Sequence, residues 1–267
     1  MKKIGIVGLG YVGNAVRFSY QKNASHIKLI EIDIDPSKNC HGTYQELKDA
    51  DVVFVCVPSP PKEDGSCDSG PLESVLDNLK DFKGVIISKV TATPDIYEKL
   101  QKKFPNLVHS PEFLTAANSV QDYLHSSYAI IGGSNENSHK AYEAIKIGLP
   151  DLKLAYCSTI GEASLAKYII NTFLATKVVF MNEMEKLARI GGHNWEVIRS
   201  LIATDSKRIG NSHTQVPGPD GQYGFGGICL PKDTLALLKY AECISVQTNV
   251  LDAAVKKNII IRLQNSK

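Results

Sequence analysis

The sequence has no apolar run approaching the roughly 20 residues that a membrane-spanning helix needs. It has no excess of either charge, since 30 Lys+Arg against 28 Asp+Glu leave a formal net charge of +2. With no basic block, that balance gives no argument for nucleic acid or an anionic membrane as a partner. The apolar start, Ile4 to Val12, is short and broken by glycine, so it reads as a first strand and not an export signal. Six cysteines (Cys40, Cys56, Cys67, Cys157, Cys229, Cys243) are scattered without CxxC spacing. They argue against a metal site and, without an export signal, read as reduced thiols. Neither an internal repeat nor a low-complexity segment is present. The expectation is a soluble cytoplasmic protein whose 267 residues form two domains.

The N-terminal part alternates strand and helix. Lys2 to Val7 reads as a short buried strand. It runs into Gly8-Leu9-Gly10-Tyr11-Val12-Gly13 and then the helical stretch Asn14 to Phe18. A second strand, Ile27 to Ile32, ends at Asp33. In that context the glycines allow a tight turn and the approach of a pyrophosphate to the helix N-terminus. Asp33 stands where a carboxylate accepts from adenosine ribose hydroxyls and repels a 2′-phosphate, which favours NAD over NADP. The plainer alternative is a surface acid at a strand end; Lys38 either touches the same ribose or is solvated. Asp51 to Val57, Val85 to Ser88 and Tyr128 to Gly133 are further apolar runs, too apolar for half-exposed strands. They predict a Rossmann-type doubly wound parallel sheet over residues 1–152, its ligand crevice at the carboxyl edge.

After Pro150 the character changes. Ile160 to Ile190 is nearly free of helix breakers and long for a globular helix, and Trp195 to Ala203 and Thr234 to Gln264 are also helical in pattern. Residues 153–267 are therefore expected to form a helical domain, and the apolar long helix to need a partner surface, as in a homodimer. Lys167 and Asn171 share one face of that helix, with Leu174 and Val178 continuing the stripe inward. An amide and a cation pointing into a cleft can bind a sugar hydroxyl and stabilise an oxyanion. A lysine snorkelling to the surface beside a core asparagine gives the same spacing.

Near the C-terminal end lies Gly224-Phe225-Gly226-Gly227-Ile228-Cys229-Leu230-Pro231-Lys232-Asp233. Pro231 favours a first helical turn, which places Cys229 at a helix N-terminus, where N–H groups and the macrodipole favour a thiolate. Asp233 follows one turn later on the same face. A lone cysteine is usually a buried structural thiol. Here the glycines, the proline and the acid favour a covalent nucleophile.

With these segments and four others, the chain resembles the UDP-glucose/GDP-mannose dehydrogenase family. The others are Phe54 to Pro60, Ser110-Pro111-Glu112-Phe113-Leu114, Lys167 to Lys177 with Asn182-Glu183, and Arg208-Ile209-Gly210. The resemblance implies oxidation of a sugar C6 alcohol to a carboxylate with two molecules of NAD, through a thiohemiacetal and a thioester on Cys229. It puts Lys167 and Asn171 at the developing oxyanion, and Asp233 and Thr91 at a catalytic water. Glu112 would assist thioester hydrolysis or proton removal. At the cofactor it places Gly8, Gly10, Tyr11, Val12, Gly13, Asp33, Lys38, Val57, Pro58 and Ser59. Phe113, Leu114, Thr115, Phe225 and Gly226 would line the nucleotide-sugar substrate, and Arg208 would reach the substrate of a partner subunit. Taken outside the resemblance, Glu112 and Asp233 are equally a loop acid and a helix N-terminal acid.

Departures from the family pattern are as informative. Thr115-Ala116-Ala117 stands in place of an Arg-Glu-Gly, and Ser164 where an acid commonly precedes the helix lysine. Losing two charge-assisted hydrogen bonds of about 1.5–3 kcal/mol each would weaken substrate by roughly two to four decades. The sequence stops at Lys267, without the second nucleotide-binding domain that the resemblance implies. Two other readings stay open. One is a two-electron hydroxyacid dehydrogenase of the 6-phosphogluconate type, which has no use for Cys229. The other is a non-catalytic NAD-binding homologue.

Overall fold

The computed structural model describes residues 1–38 and 40–264. The chain falls into two units, residues 1–60 with 67–167 and residues 61–66 with 168–267.

The first unit opens with β1 (Lys3–Val7), α1 (Tyr11–Asn23), β2 (Lys28–Ile32) and a one-turn α2 (Tyr44–Leu47). Next come β3 (Val52–Val55), α3 (Gly70–Asn78), β4 (Val85–Ser88), α4 (Pro94–Lys103) and β5 (Leu107–His109). It ends with α5 (Ser119–Leu124), β6 (Tyr128–Gly132), α6 (Asn135–Gly148), β7 (Leu154–Ser158) and the start of α7 (Ile160–Ile190). The seven strands form one sheet in the order β2-β1-β3-β4-β5-β6-β7. Every residue of β3 and β4 is buried, the mark of strands covered on both faces. Ala15, Val16 and Tyr20 of α1 and Ala141, Ala144 and Ile145 of α6 join Ile4, Ile6, Phe54 and Ile87 in one apolar cluster. The buried Tyr20 hydroxyl donates to the Ala144 carbonyl at 2.6 Å, so that hydroxyl is not stranded.

β1 lies between β2 and β3, so successive crossovers leave it in opposite directions. This is a topological switch point, and the crevice falls at the carboxyl ends of β1 and β3. The sheet differs from the expected one in direction. β5 and β6 pair antiparallel through His109 and Gly132, while β6 and β7 pair parallel from Tyr128↔Leu154 to Gly132↔Ser158. Two strands thus run against the other five. β7 also moves the expected break at 152/153 to Lys167/Tyr168, because residues 154–158 complete the first sheet and the first turns of α7 stay with it.

The second unit holds the rest of α7, then α8 (Trp195–Thr204), α9 (Cys229–Cys243) and α10 (Asn249–Gln264). Apolar clusters in it centre on Ala175, Val179, Phe225 and Ile261, and on Met181, Ala188, Trp195 and Val216. Asn194 caps α8, its side chain accepting from the Glu196 and Val197 N–H groups. The single helix expected from Thr234 to Gln264 is two. α9 ends at Cys243, and Ser245 takes a left-handed φ of 58° before α10 begins. Among the described residues no helix is long and apolar enough to cross a membrane.

Candidate active site

In the first unit, Gly8 and Gly13 build the turn between β1 and α1, and Gly10 opens it. Gly8 has a φ of +90°, and a Cβ there would sit 2.8 Å from the Cys56 carbonyl oxygen. A Cβ on Gly13 would fall 1.8 Å from the Gly8 carbonyl oxygen, so these two positions are set by backbone packing. A Cβ on Gly10 would meet nothing within 4 Å. Gly10 is also the N-cap of α1, with no side-chain cap and no acid in the first turn. Among the described residues no side chain caps these helix N–H groups, which suits a pyrophosphate.

Asp33 ends the partly buried edge of β2, and its carboxylate is already at work. Oδ2 accepts the Leu9 N–H at 2.5 Å and Oδ1 accepts the Asp35 N–H at 2.8 Å. It braces the glycine turn and retains lone pairs for ribose hydroxyls. These features fit a dinucleotide with an unmodified ribose. Tyr11 and Lys38 are exposed, Val12 and Val57 half-buried, Pro58 exposed and Ser59 buried, all at this edge. Thr91 is half-buried past β4, and its carbonyl accepts from the Cys67 thiol at 3.4 Å.

Glu112 lies in the loop after β5. Lys167 Nζ donates to the Glu112 carbonyl at 2.5 Å and stands 4.6 Å from the centre of the Phe113 ring. The carboxylate pairs with Lys89 at 3.1 Å. The Thr115 N–H and hydroxyl both donate to Asp122, at 2.8 and 2.6 Å, which closes the exposed Thr115-Ala116-Ala117 segment. Leu114, expected to line the substrate, is partly buried and packs against the main apolar cluster. Ser164 is fully buried and donates to the Ala92 carbonyl at 2.6 Å. A carboxylate in its place would meet that oxygen as an unpaired charge.

In the second unit Cys229 is the first residue of α9 and is exposed, with no side-chain cap before it. One turn on, Asp233 is 1% exposed. Its Oδ2 accepts the Asn171 amide at 2.6 Å and its Oδ1 accepts Lys232 Nζ at 2.6 Å. The spacing of Asn171 on α7 and Asp233 on α9 thus becomes a buried contact. The glycine loop has a different cause from the one its composition suggests. Gly224 N–H donates to Asn182 at 2.9 Å, Phe225 N–H donates to Asn258 at 2.7 Å, and the Asn258 amide returns a bond to the Phe225 carbonyl at 3.0 Å. A Cβ on Gly224 would lie 2.5 Å from Asn258 Oδ1, and one on Gly226 2.4 Å from Arg262. Those two glycines admit α10. Only Gly227, with φ +75°, faces open space. The Phe225 side chain, expected to line the substrate, is buried in the core and anchors the loop. Arg208 is exposed just past α8, paired with Asp205.

Sequence reasoning missed Lys89, Asn258 and Arg262, and quoted Asn182 within a matching segment without its bond to the Gly224 N–H. The available signals were a lysine abutting the apolar run of β4 and an asparagine set inside the apolar stretch of α10.

A switch-point turn shaped for a pyrophosphate defines the first unit as a dinucleotide-binding α/β module, followed in the chain by a helical unit that presents a cysteine. Residues 39–146 match the NAD binding domain of the UDP-glucose/GDP-mannose dehydrogenase family, and residues 161–259 match its central domain. The chain belongs to that family, and its cofactor is NAD. It is 32% identical over 223 residues to a UDP-glucose 6-dehydrogenase of Rickettsia felis, across 80% of this chain and 48% of that protein. It is 33% identical over 226 residues to the protein of that name in Rickettsia bellii, across 80% of this chain and 50% of that one. The chain thus spans about half the length of these relatives. A solved UDP-glucose dehydrogenase from Pyrobaculum islandicum superposes with a TM-score of 0.81 over 97% of this chain and 68% of that one. At 24% identity, that likeness shows a shared fold.

Proposed function

We propose that this protein oxidises the C6 alcohol of a nucleotide sugar, UDP-glucose-like, to the uronic acid through a cysteine thioester. The observation that carries the reading is Cys229, exposed at the start of α9, one turn before the buried Asp233 that bonds Asn171. A two-electron hydroxyacid oxidation needs an amide and a cation but no thiol. NAD, when bound, supplies the two-electron acceptor for each of the two oxidations.

The chain's own residues supply the rest. Gly8, Gly10 and Gly13 with the α1 N-terminus receive the pyrophosphate, and Asp33 the ribose. The alcohol loses hydride and proton to give the C6 aldehyde. The Cys229 thiolate adds to that aldehyde, forming a carbon–sulfur bond and an oxyanion. Lys167 and Asn171 stabilise the oxyanion. A second loss of hydride and proton converts the thiohemiacetal to the thioester. Water oriented by Asp233 and Thr91, with Glu112 as base, breaks the carbon–sulfur bond and returns the thiol with the carboxylate product. Phe113, Leu114 and Thr115, with Phe225 and Gly226 of the cysteine loop, lie along the nucleotide sugar.

The active species is proposed to be a homodimer built on α7, with Arg208 serving the partner's site. Exposed Ile169, Phe173, Phe180, Leu187 and Ile190 on α7 support this.

A panel of UDP- and GDP-sugars, followed by NADH formation, tests the reaction. Two NADH per sugar and a thioester mass on Cys229 in quenched samples are expected. One NADH per substrate would favour the hydroxyacid reading, and NAD binding with no turnover on the panel would favour the non-catalytic one.

A further inference from the structure

Lys89 is the residue that follows β4, and its N–H donates to the Val55 carbonyl at 2.9 Å. It therefore stands at the carboxyl edge of the two central strands, beside the switch point. Its side chain is 2% exposed and that of Glu112 10%. The ammonium lies 3.1 Å from Glu112 Oε2, 3.2 Å from the Ser110 hydroxyl and 5.5 Å from the centre of the Tyr123 ring. Taking an ammonium out of water is costly even with a partner. A well-packed apolar side chain in the same space is often as stable or more so. Stability alone thus gives no reason for a charged pair here, 23 residues apart in the chain.

The rest of Glu112 is held as firmly. Its Oε1 accepts the Phe113 N–H at 3.2 Å, and its carbonyl accepts from Lys167 at 2.5 Å. Two lysines thus grip one residue at different atoms, Lys167 at the backbone and Lys89 at the carboxylate. We infer that Lys89 is a positioning residue of the proposed reaction, fixing the Glu112 carboxylate in the single orientation from which it acts. The inference rests on the role given to Glu112 above.

Lys89→Met is expected to lower kcat about 10- to 100-fold, the usual scale for a misplaced catalytic group. KM for the nucleotide sugar and Kd for NAD should stay within about threefold. Quenched turnover should show the Cys229 thioester accumulating, as in Glu112→Gln. In the Glu112→Gln background, adding Lys89→Met should change kcat less than about twofold, because the group it aims is gone. The double variant strands no buried charge, so where Lys89→Met alone does not fold, a fall of more than about tenfold on adding it to Glu112→Gln overturns the inference by itself.

Equal factors in both backgrounds would mark a purely structural lysine and overturn the inference. So would a crystal structure of Lys89→Met with the Glu112 carboxylate unmoved, a result independent of turnover. A Glu112→Gln enzyme as fast as wild type would remove Glu112 from the reaction and the inference with it. An inactive Glu112→Gln beside a fully active Lys89→Met would instead overturn the role of Lys89 alone.

Discussion

Asp33 braces the glycine turn through Leu9, and the proposed function gives the same carboxylate the cofactor ribose. Its substitution should therefore cut both ways. Asp33→Ala is expected to weaken NAD about 10- to 100-fold, the loss of charge-assisted hydrogen bonds worth about 1.5–3 kcal/mol, and to narrow the preference over NADP. Titrating both cofactors checks it, and equal affinities in the unmutated protein would contradict the assignment. His109 carries a prediction of another kind. It is fully buried and stacked on Tyr97, its Nδ1 3.1 Å from the Ser88 carbonyl, and its Nε2 has no hydrogen-bond partner among the described residues. Burial above all, with Lys89 and Lys167 nearby, lowers its pKa to about 3 from 6.5. Between those values the unfolded chain binds a proton that the folded one refuses. Its share of stability is thus complete above about pH 6.5 and falls by roughly 1.4 kcal/mol per unit as the pH drops toward 3. His109→Phe should flatten the fall in urea midpoint between pH 6 and 4; identical slopes would show that another group titrates. Spacing together with the family resemblance singled out Cys229, Asp233 and Asn171, and the last two meet in a hydrogen bond. Lys89 was not, because what defines it is a partner in a distant loop and a burial that no local pattern reports.

Elements were legible wherever burial wrote a continuous apolar run. β3, β4 and the whole of α7 could be read from the sequence. β7 could not, since Leu154 and Cys157 are exposed and its five residues carry no alternation. The reversal of β6 rests on one antiparallel pair that leaves no trace in composition. The break between α9 and α10, at Ile244 to Thr248, contains neither glycine nor proline, so Ser245 must adopt its left-handed φ unannounced. Glycine motifs show where a special backbone is needed but not which glycine serves the fold and which the ligand. Gly13→Ala, with no room beside the Gly8 carbonyl, should disrupt the turn and lower the melting temperature. Gly10→Ala, facing open space, should leave it unchanged within error while weakening NAD. Calorimetry with a cofactor titration on both variants separates the two, and equal destabilisation would refute the division. On α10, Asn258→Ala leaves two backbone groups of the cysteine loop unpaired and should cost about 2–4 kcal/mol in urea unfolding.

At the scale of the molecule, the sequence placed a boundary where helices begin to outnumber strands, whereas the chain divides within α7, after β7 has closed the sheet. What remains on α7 is an apolar stripe that is exposed among the described residues. Residues 169, 173, 176, 180, 183, 187 and 190 follow alternating steps of four and three, the spacing of one coiled-coil seam. Ile169, Phe173, Phe180, Leu187 and Ile190 on it are each more than half exposed. Glu183 interrupts the seam and pairs with Lys257 at 2.9 Å. A seam of this length, roughly 30 Å at the helical rise, is matched most simply by a second copy of itself about a twofold axis. Sedimentation equilibrium at micromolar concentration should return a dimer, and Phe173→Asp with Phe180→Asp a folded monomer. A wild-type monomer would remove the seam from assembly. The proposal that Arg208 serves the partner's site adds a sharper test. Cys229→Ser and Arg208→Ala proteins should each be nearly inactive. Mixed and allowed to exchange subunits, half of the dimers pair one of each, and each such pair restores one site of two. About a quarter of wild-type activity should then return. Mixtures that stay inactive, although exchange is shown by a mass-labelled subunit, would confine Arg208 to its own subunit while leaving the dimer itself to the sedimentation result.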